Sequence, residues 1–406
     1  MKVAMVSEHA SPLAPIGGVD GGGQNIYLAA LANVLAEAGH QVTVYTRRDA
    51  ANLPDQVTVR PRLTVRHVPA GPPTYVPKDE LLPHMGNLGT YLADAWSRRP
   101  PDVVHSHSWM SGLASLAAAR DLERPVVQTF HTLGIVQRRY QGRKDTSPAG
   151  RLRLETAIAK TVDAIVATST GELFELIRLG VRRSAISVIP CGVDLETFTV
   201  DRPAAERTSR SRLLVVGRLV ERKGVDTVIQ ALRGIPRTEL LVAGGPPADG
   251  LRRDPEVRRL RAVARECGVS RRVKFLGQVP HEEVAALMRS SDAVVCVPWY
   301  EPFGMVPLEA MACGVPVVVS AVGGLVDAVI HGTTGVHVPP RQPAALATAL
   351  RKLLADPTAR EGFGIAASDR ARSRYSWDRI GRETLGVYQR VQAERTGRRR
   401  VASSGA

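Results

Sequence analysis

Two carboxylates eight positions apart, Glu301 and Glu309, stand in the stretch EPFGMVPLE. The pattern places Glu301 in a loop and Glu309 on the second turn of a helix opened by Gly304. A helix N-terminus attracts anions through its unpaired N–H groups and its dipole. Acids beside one need another task, such as accepting hydrogen bonds from sugar hydroxyls. The spacing suits a solvated Glu and a dipole Glu equally well. Two cations, Arg218 and Lys223, flank the start of another helix. An Arg fork and a Lys point charge there suit a diphosphate. The competing reading is a solvated loop, since Glu221 and Arg222 are charged too.

Three histidines, His105, His107 and His131, fall at strand ends. They lack a carboxylate or cysteine partner at ligand spacing, so no metal site is expected. A histidine at such a place can hydrogen-bond a sugar hydroxyl. Gly21, Gly22 and Gly23 precede a helix, where a ligand can approach the backbone closely. A dinucleotide fingerprint would need G-x-G-x-x-G and an acid after the second strand. Here that strand ends Thr46-Arg47-Arg48, which argues against a dehydrogenase. Neither a nucleophile elbow nor a P-loop lysine is present.

These residues need a scaffold, and strand and helix patterns alternate along the whole chain, as in parallel α/β sheets. Apolar runs over 3–6, 42–45, 102–105, 125–130, 164–167 and 186–189 predict strands in the first half, with a further strand near 63–68. Leu28, Leu31, Val34 and Leu35 give the first helix its apolar face, and Gly39 ends it. After a polar, proline-containing linker at 200–211 the pattern restarts, with strands at 213–216, 240–243, 273–276, 293–297 and 317–319. The last part, 343–395, reads as helical, with Trp377, Ile380, Leu385 and Tyr388 as a packing stripe. The expected fold is α/β: two Rossmann-like, doubly wound parallel-sheet domains with an inter-domain cleft. Their expected spans are 1–200 and 207–375. A C-terminal helix over 376–395 should return to the first domain, and 396–406 should form a disordered basic tail. Ligands of such sheets bind beyond the carboxyl ends of the strands, where most of the candidate residues lie.

The chain has 406 residues and a formal net charge of +15. Solvated basic faces account for the charge; the functional alternative is an anionic partner, including a peripheral membrane contact. Aromatics are only 4%, which argues against a base-stacking nucleic-acid surface. No apolar run approaches a membrane span, and MKVAMVSEHA turns polar too soon for a signal peptide. Cys191, Cys267, Cys296 and Cys313 are scattered and read as reduced thiols of a cytoplasmic protein.

Taken together, the motifs resemble those of the retaining glycosyltransferases of the GT-B fold, family 4. Glu301 to Glu309 is similar to that family's E-x7-E, and Gly217-Arg218 to Lys223 to its diphosphate clamp. GGGQN, HSHSWMSG, QTFHTLG and IPCGVD carry the likeness across nearly the whole chain. It extends to the branch holding the D-inositol-3-phosphate glycosyltransferases and, more distantly, sucrose-phosphate synthases. The resemblance implies transfer of a hexose from a nucleoside diphosphate sugar, a UDP-sugar by this likeness, with retention, no cofactor and no essential metal.

By the same resemblance, His131, Arg218, Lys223 and Glu301 are catalytic. Gly23, Val279, Gly304, Met305, Val306 and Glu309 bind the donor. Asn25, Lys78, Thr132 and Arg151 bind a small acceptor, a phosphorylated polyol or sugar. Where the inositol enzymes carry a tyrosine after His107, this chain has Ser108. Alternatives from other classes are a sugar-nucleotide epimerase on the same fold, a non-catalytic sugar-nucleotide sensor, and transfer to a membrane lipid. Oligomeric state is not addressed by the sequence.

Overall fold

A computed structural model describes residues 1–14, 22–208 and 210–404. Gly21 therefore lies outside the described residues. The chain divides into two compact units, Met1–Pro190 with Trp377–Ala406, and Cys191–Ser376.

The first unit holds, among the described residues, an eight-stranded sheet. Its strands in chain order are β1 (Lys2–Val6), β2 (Gln41–Arg47), β3 (Gln56–Arg60), β4 (Leu63–Val68), β5 (Val103–His107), β6 (Val126–Thr129), β7 (Ala164–Ala167) and β8 (Ile186–Val188). In space they run β3-β4-β2-β1-β5-β6-β7-β8. All neighbours are parallel except β3 against β4. The sequence reading has no strand at β3, because its residues are largely exposed and carry no buried run. Val3, Met5, Val104 and Ile165 are buried on the sheet, each such side chain contributing about 1.5–3 kcal/mol.

The helix Gly23–Glu37 buries Tyr27, Leu28, Leu31 and Leu35 on its apolar face. The C-terminal helix Trp377–Ser404 lies against it: a Cβ on Gly381 would stand 2.1 Å from Val34 Cγ1. Ile380 and Tyr388 of the expected stripe are fully buried. This helix continues to Ser404, where the sequence suggested a disordered tail from 396.

The second unit holds, among the described residues, a six-stranded sheet of β9 (Ser211–Val216), β10 (Thr238–Ala243), β11 (Val273–Gly277), β12 (Ala293–Cys296), β13 (Val317–Ser320) and β14 (Gly335–Val338). The order is β11-β10-β9-β12-β13-β14, and all pairs are parallel. The expected linker at 200–211 lies inside this unit. Phe198 sits in its core, Arg289 donates to the carbonyl oxygens of Thr199 and Pro203, and the Ala205 N–H donates to that of Ala286. Polar composition concealed this, because the segment is held through its backbone. The unit boundary is therefore at 190/191 rather than near 200.

Each sheet has a place where the strand order reverses: between β1 and β5 in the first, and between β9 and β12 in the second. Loops leaving neighbouring strands there diverge to opposite faces and leave a crevice at the carboxyl ends.

Candidate active site

In the second unit the residues at that reversal point come from the loops after β9 and β12. Lys223 ends a short 3-10 turn, Glu221–Lys223, and Glu301 lies beyond Val297 and Trp299. Lys223 Nζ donates to Glu301 Oε2 at 2.5 Å. Burial alone would raise the Glu301 pKa. The charge and hydrogen bond of Lys223, the Arg222 charge and the Phe303 N–H outweigh it and hold the carboxyl below its usual range. Glu301 is thus ionised at neutral pH.

Glycines let these loops close on one another. Gly224, at φ +70°, leaves no room for a Cβ, which would stand 2.2 Å from the Val297 carbonyl oxygen. Gly323, at φ +49°, would place one 2.2 Å from the carbonyl oxygen of Glu301 itself, and the Gly324 N–H donates to that oxygen at 2.9 Å. The Glu301 loop is cradled from below by two glycines that the sequence reading did not single out. The sequence signal for them is a glycine pair just after the apolar run of β13.

The helix Met305–Ala312 starts at Gly304, whose φ of +76° is left-handed. Met305 and Val306 form its first turn. Glu309 is buried, with Oε1 at 3.4 Å from His281 Nε2. That carboxylate's hydrogen bond, opposed by burial, raises the His281 pKa. His281 was not anticipated; no spacing links it to Glu309. Arg218 is exposed on the loop after β9, and Val279, after β11, is partly buried against this unit's core.

In the first unit the loops leaving β1, β5 and β6 carry the candidate groups. Glu8, two residues past the end of β1, is 1% exposed. Ser108 Oγ donates to its Oε1 at 2.8 Å, and His9 Nδ1 lies 2.8 Å from the same oxygen. The Ser111 N–H donates to Oε2 at 3.1 Å, and the Ser111 hydroxyl bonds there as well. The carboxylate therefore caps the helix Trp109–Ala119 from the loop after β1. Burial would raise its pKa, but the charge and hydrogen bond of His9 and the two serine hydroxyls lower it overall. Ser108 has a positive φ of +79°. Glu8 was missed because a single acid after a strand has no motif around it.

His107 Nδ1 and His131 Nε2 are 3.0 Å apart, and Tyr27 lies edge-on to His131 at 5.2 Å between centroids. His105 is bonded on both sides, to Tyr388 Oη at 2.7 Å and Thr129 Oγ1 at 2.9 Å. Burial pushes the His107 pKa down to about 3 and those of His105 and His131 well below the usual value. The three imidazoles are neutral at neutral pH. His131 keeps a left-handed φ of +62°. A strained non-glycine backbone costs about 1–3 kcal/mol and persists where neighbours impose it.

Thr132 follows, its hydroxyl bonded to the His131 carbonyl at 2.7 Å. Arg151 reaches the next carbonyl: Nη2 donates to the Thr132 oxygen at 2.7 Å. Its Nε meets Glu155 at 2.7 Å, and its Nη1 meets Gln137 at 3.0 Å and Ser147 at 2.9 Å. Asn25 is also committed, accepting from the Gly22 N–H at 3.2 Å and donating to the Ser11 carbonyl at 3.0 Å. Gly23 is the first helical residue, and Lys78 is exposed at the start of the turn Lys78–Glu80. Of the expected acceptor set, only Thr132 and Arg151 are brought together, beside His131. Among the described residues no group of His, Cys, Asp or Glu could hold a metal ion.

Residues 21–197 match the family described as Glycosyltransferase Family 4, and 198–370 the one described as Glycosyl transferases group 1. A D-inositol 3-phosphate glycosyltransferase of Xylanimonas cellulosilytica is 38% identical, covering 98% of each chain. The chain belongs to glycosyltransferase family 4. A second relative of the same name, from Kribbella flavida, is 37% identical over 96% of this chain and 95% of its own. Among solved structures, sucrose-phosphate synthase of Thermosynechococcus elongatus superimposes with a TM-score of 0.89 at 32% identity, covering 97% of this chain and 99% of that one. HepE of Anabaena, solved in complex with UDP-glucose, matches with a TM-score of 0.71 at 20% identity, over 98% and 100% of the two chains, and shares the fold. This family 4 glycosyltransferase has the GT-B fold, with two parallel-sheet α/β domains, as expected. No helix among its described residues is long and apolar enough to cross a membrane.

Proposed function

We propose that this family 4 glycosyltransferase moves a hexose, with retention and without an essential metal, from a UDP-sugar to a hydroxyl of a small phosphorylated polyol or sugar. The observation that carries this reading is the Lys223–Glu301 pair at the strand-order reversal of the second sheet. The names of the inositol-phosphate and sucrose-phosphate relatives support a phosphorylated acceptor.

In this reading the bond from the anomeric carbon to the diphosphate oxygen breaks, and the acceptor oxygen bonds to that carbon. The acceptor's proton passes to the departing diphosphate. Negative charge grows on the leaving group, and fixed donors aimed at it stabilise the transition state. Lys223 has three N–H groups. One meets Glu301, which leaves two for the diphosphate, and Arg218 supplies a fork. The first-turn N–H groups of Met305 and Val306 add a helix N-terminus. Ionised Glu301 accepts from sugar hydroxyls, and Glu309, steadied by His281, accepts from the ribose. Val279 adds to the donor contacts of the second unit, and Thr132 and Lys78 are acceptor contacts of the first. The developing sugar cation resembles that of glycosidases. A neutral His131 can serve such a cation without opposing its charge. An imidazolium could not.

The test is a UDP-sugar panel offered with inositol phosphates and sugar phosphates, with and without EDTA. The anomeric configuration of the product is read by proton NMR. Lys223→Ala should lower kcat about 10²–10³-fold, as loss of a transition-state donor does. Transfer by Lys223→Ala within a few-fold of wild type would sink the site assignment. An inverted product or loss of activity in EDTA would remove the finer claims.

A further inference from the structure

We propose that the first unit carries a second ligand site, for a small phosphate monoester, on one face of its sheet at the amino ends of β1 and β2. A cavity of about 410 Å³ lies there. Lys2, Gln41, Thr43, Tyr45, Arg66 and Arg99 line it, and no lining residue is acidic. Strand register explains the gathering. Lys2 pairs with Gln41, Ala4 with Thr43 and Val6 with Tyr45, and Tyr45 pairs with Arg66 on its other side. Successive side chains of a strand alternate between faces, so these residues share one face. The opposite face takes Val42, Val44, Leu63 and Val65, all buried. Parallel sheets usually bury both faces under helices. Here the helix Met85–Arg98 covers part of the polar face, with Trp96 edge-on to Tyr45 at 6.1 Å between centroids. Beyond Trp96 its end walls the cavity through Ala95 and Arg99.

Lys2, Arg66 and Arg99 are cations, and among the described residues none of them forms an ion pair with a carboxylate. Arg48, Arg60 and Arg98, close to them in the chain, are paired with Asp55, Glu37 and Asp94. Asp102 accepts from the Lys2 backbone N–H at 2.7 Å and not from its ammonium. Arg66 is half-buried, so its guanidinium is partly stripped of water without a counter-charge. Tyr45 is buried. Burial pushes its phenol pKa up and the Arg66 charge pulls against it, which sets the two groups side by side. Two guanidinium forks, an ammonium and the hydroxyls of Thr43 and Tyr45 form a donor set for a phosphate dianion. A monocarboxylate brings half the charge and fewer oxygens. The volume falls in the range of about 300–1,000 Å³ usual for small-molecule sites, so there is room for the organic part of an ester. Lys2 and Gln41 begin their strands, whereas the transfer site lies at carboxyl ends. The inference therefore stands apart from the reaction proposed above.

The test follows the full chain, labelled with fluorotyrosine, by ¹⁹F NMR. The Tyr45 signal is assigned by its loss in Tyr45→Phe. Glycerol phosphate is titrated at constant ionic strength with UDP present, and inorganic phosphate and acetate are titrated in parallel. The Tyr45 signal should shift saturably with the ester, more weakly with inorganic phosphate and not with acetate. Arg66→Gln and Arg99→Gln should each weaken binding about tenfold or more, as loss of one charge-assisted contact does. Arg99 is exposed at a helix end, so its variant decides the matter where Arg66→Gln fails to fold. Lys78→Ala, in the expected acceptor set, should leave the titration unchanged. The proposal is overturned by the absence of a saturable Tyr45 shift, by an equal response to acetate, or by unchanged affinity in a folded Arg99→Gln. Inorganic phosphate binding as tightly as the ester overturns the ester assignment. Equal weakening by Lys78→Ala would place the ligand at the acceptor site and overturn the second site.

Discussion

Replacing Gly323 with alanine tests whether the Glu301 loop is placed by a glycine cradle. The new Cβ would stand 2.2 Å from the Glu301 carbonyl oxygen and 3.1 Å from its carbonyl carbon. Reaching ordinary contact means moving that oxygen by about 1 Å, and a misplacement of about 1 Å at a reacting group can cost about 10²-fold in rate. The backbone at Gly323, φ +49° and ψ −133°, adds strain of about 1–3 kcal/mol for any residue with a side chain. Gly332 is the control, since its φ is +76° but nothing lies within 4 Å of a Cβ. Gly332→Ala carries the left-handed strain without the collision. Both variants should lose some thermal stability, but only Gly323→Ala should lose about 10²-fold in kcat. The assay is steady-state transfer beside calorimetry of each variant. Equal kcat for the two variants would refute the reasoning, because the collision with Glu301 would then have no consequence for chemistry.

Two further outcomes follow from the buried histidines of the first unit. An unfolded histidine takes up a proton below its ordinary value of 6.5, whereas folded His107 does so only at about 3. Stability from this residue is therefore complete above 6.5 and is lost as pH falls toward 3, by about 2 kcal/mol at pH 5. Calorimetry at pH 7 and pH 5 should show the first unit's transition falling by about 4–8 °C, and His107→Asn should flatten that slope. Parallel slopes in variant and wild type would remove the explanation. Tyr388→Phe deletes the 2.7 Å partner of His105 Nδ1 and should cost about 1–3 kcal/mol in urea unfolding. An unchanged midpoint would mean that the C-terminal helix does not need that bond.

Much of the site was legible in residue order. Glu301, Lys223 and Glu309 stood out because each sits at a fixed distance from a buried run and a helix start. His131 was found because it ends one. Arg151 was expected at the acceptor, and the structure shows its guanidinium bonded to Glu155, Thr132, Gln137 and Ser147. Its spacing to Glu155 is the ordinary i,i+4 of a helix, and a helix alone does not reveal which loop it supports. Glu8 lies 100 residues before Ser108 and 103 before Ser111, and the 2.8 Å bond between Glu8 and Ser108 exists only because β1 and β5 are neighbours.

What the sequence alone determined is the alternation of buried strands and amphipathic helices, because burial on both faces leaves an unbroken apolar run whatever the neighbours are. It also determined the kinds of chemical group at the strand ends. The tertiary structure decided which strand ends meet. Parallel strands are joined by long crossovers, so chain order does not set sheet order. Only the reversals between β1 and β5 and between β9 and β12 bring Glu8 to Ser108 and Lys223 to Glu301. It also decided what burial does to these groups. Low polarity around buried His107 and His131 removes their protons, while Lys223 keeps partly buried Glu301 charged. Neither result follows from residue type, because each depends on which partner the fold supplies.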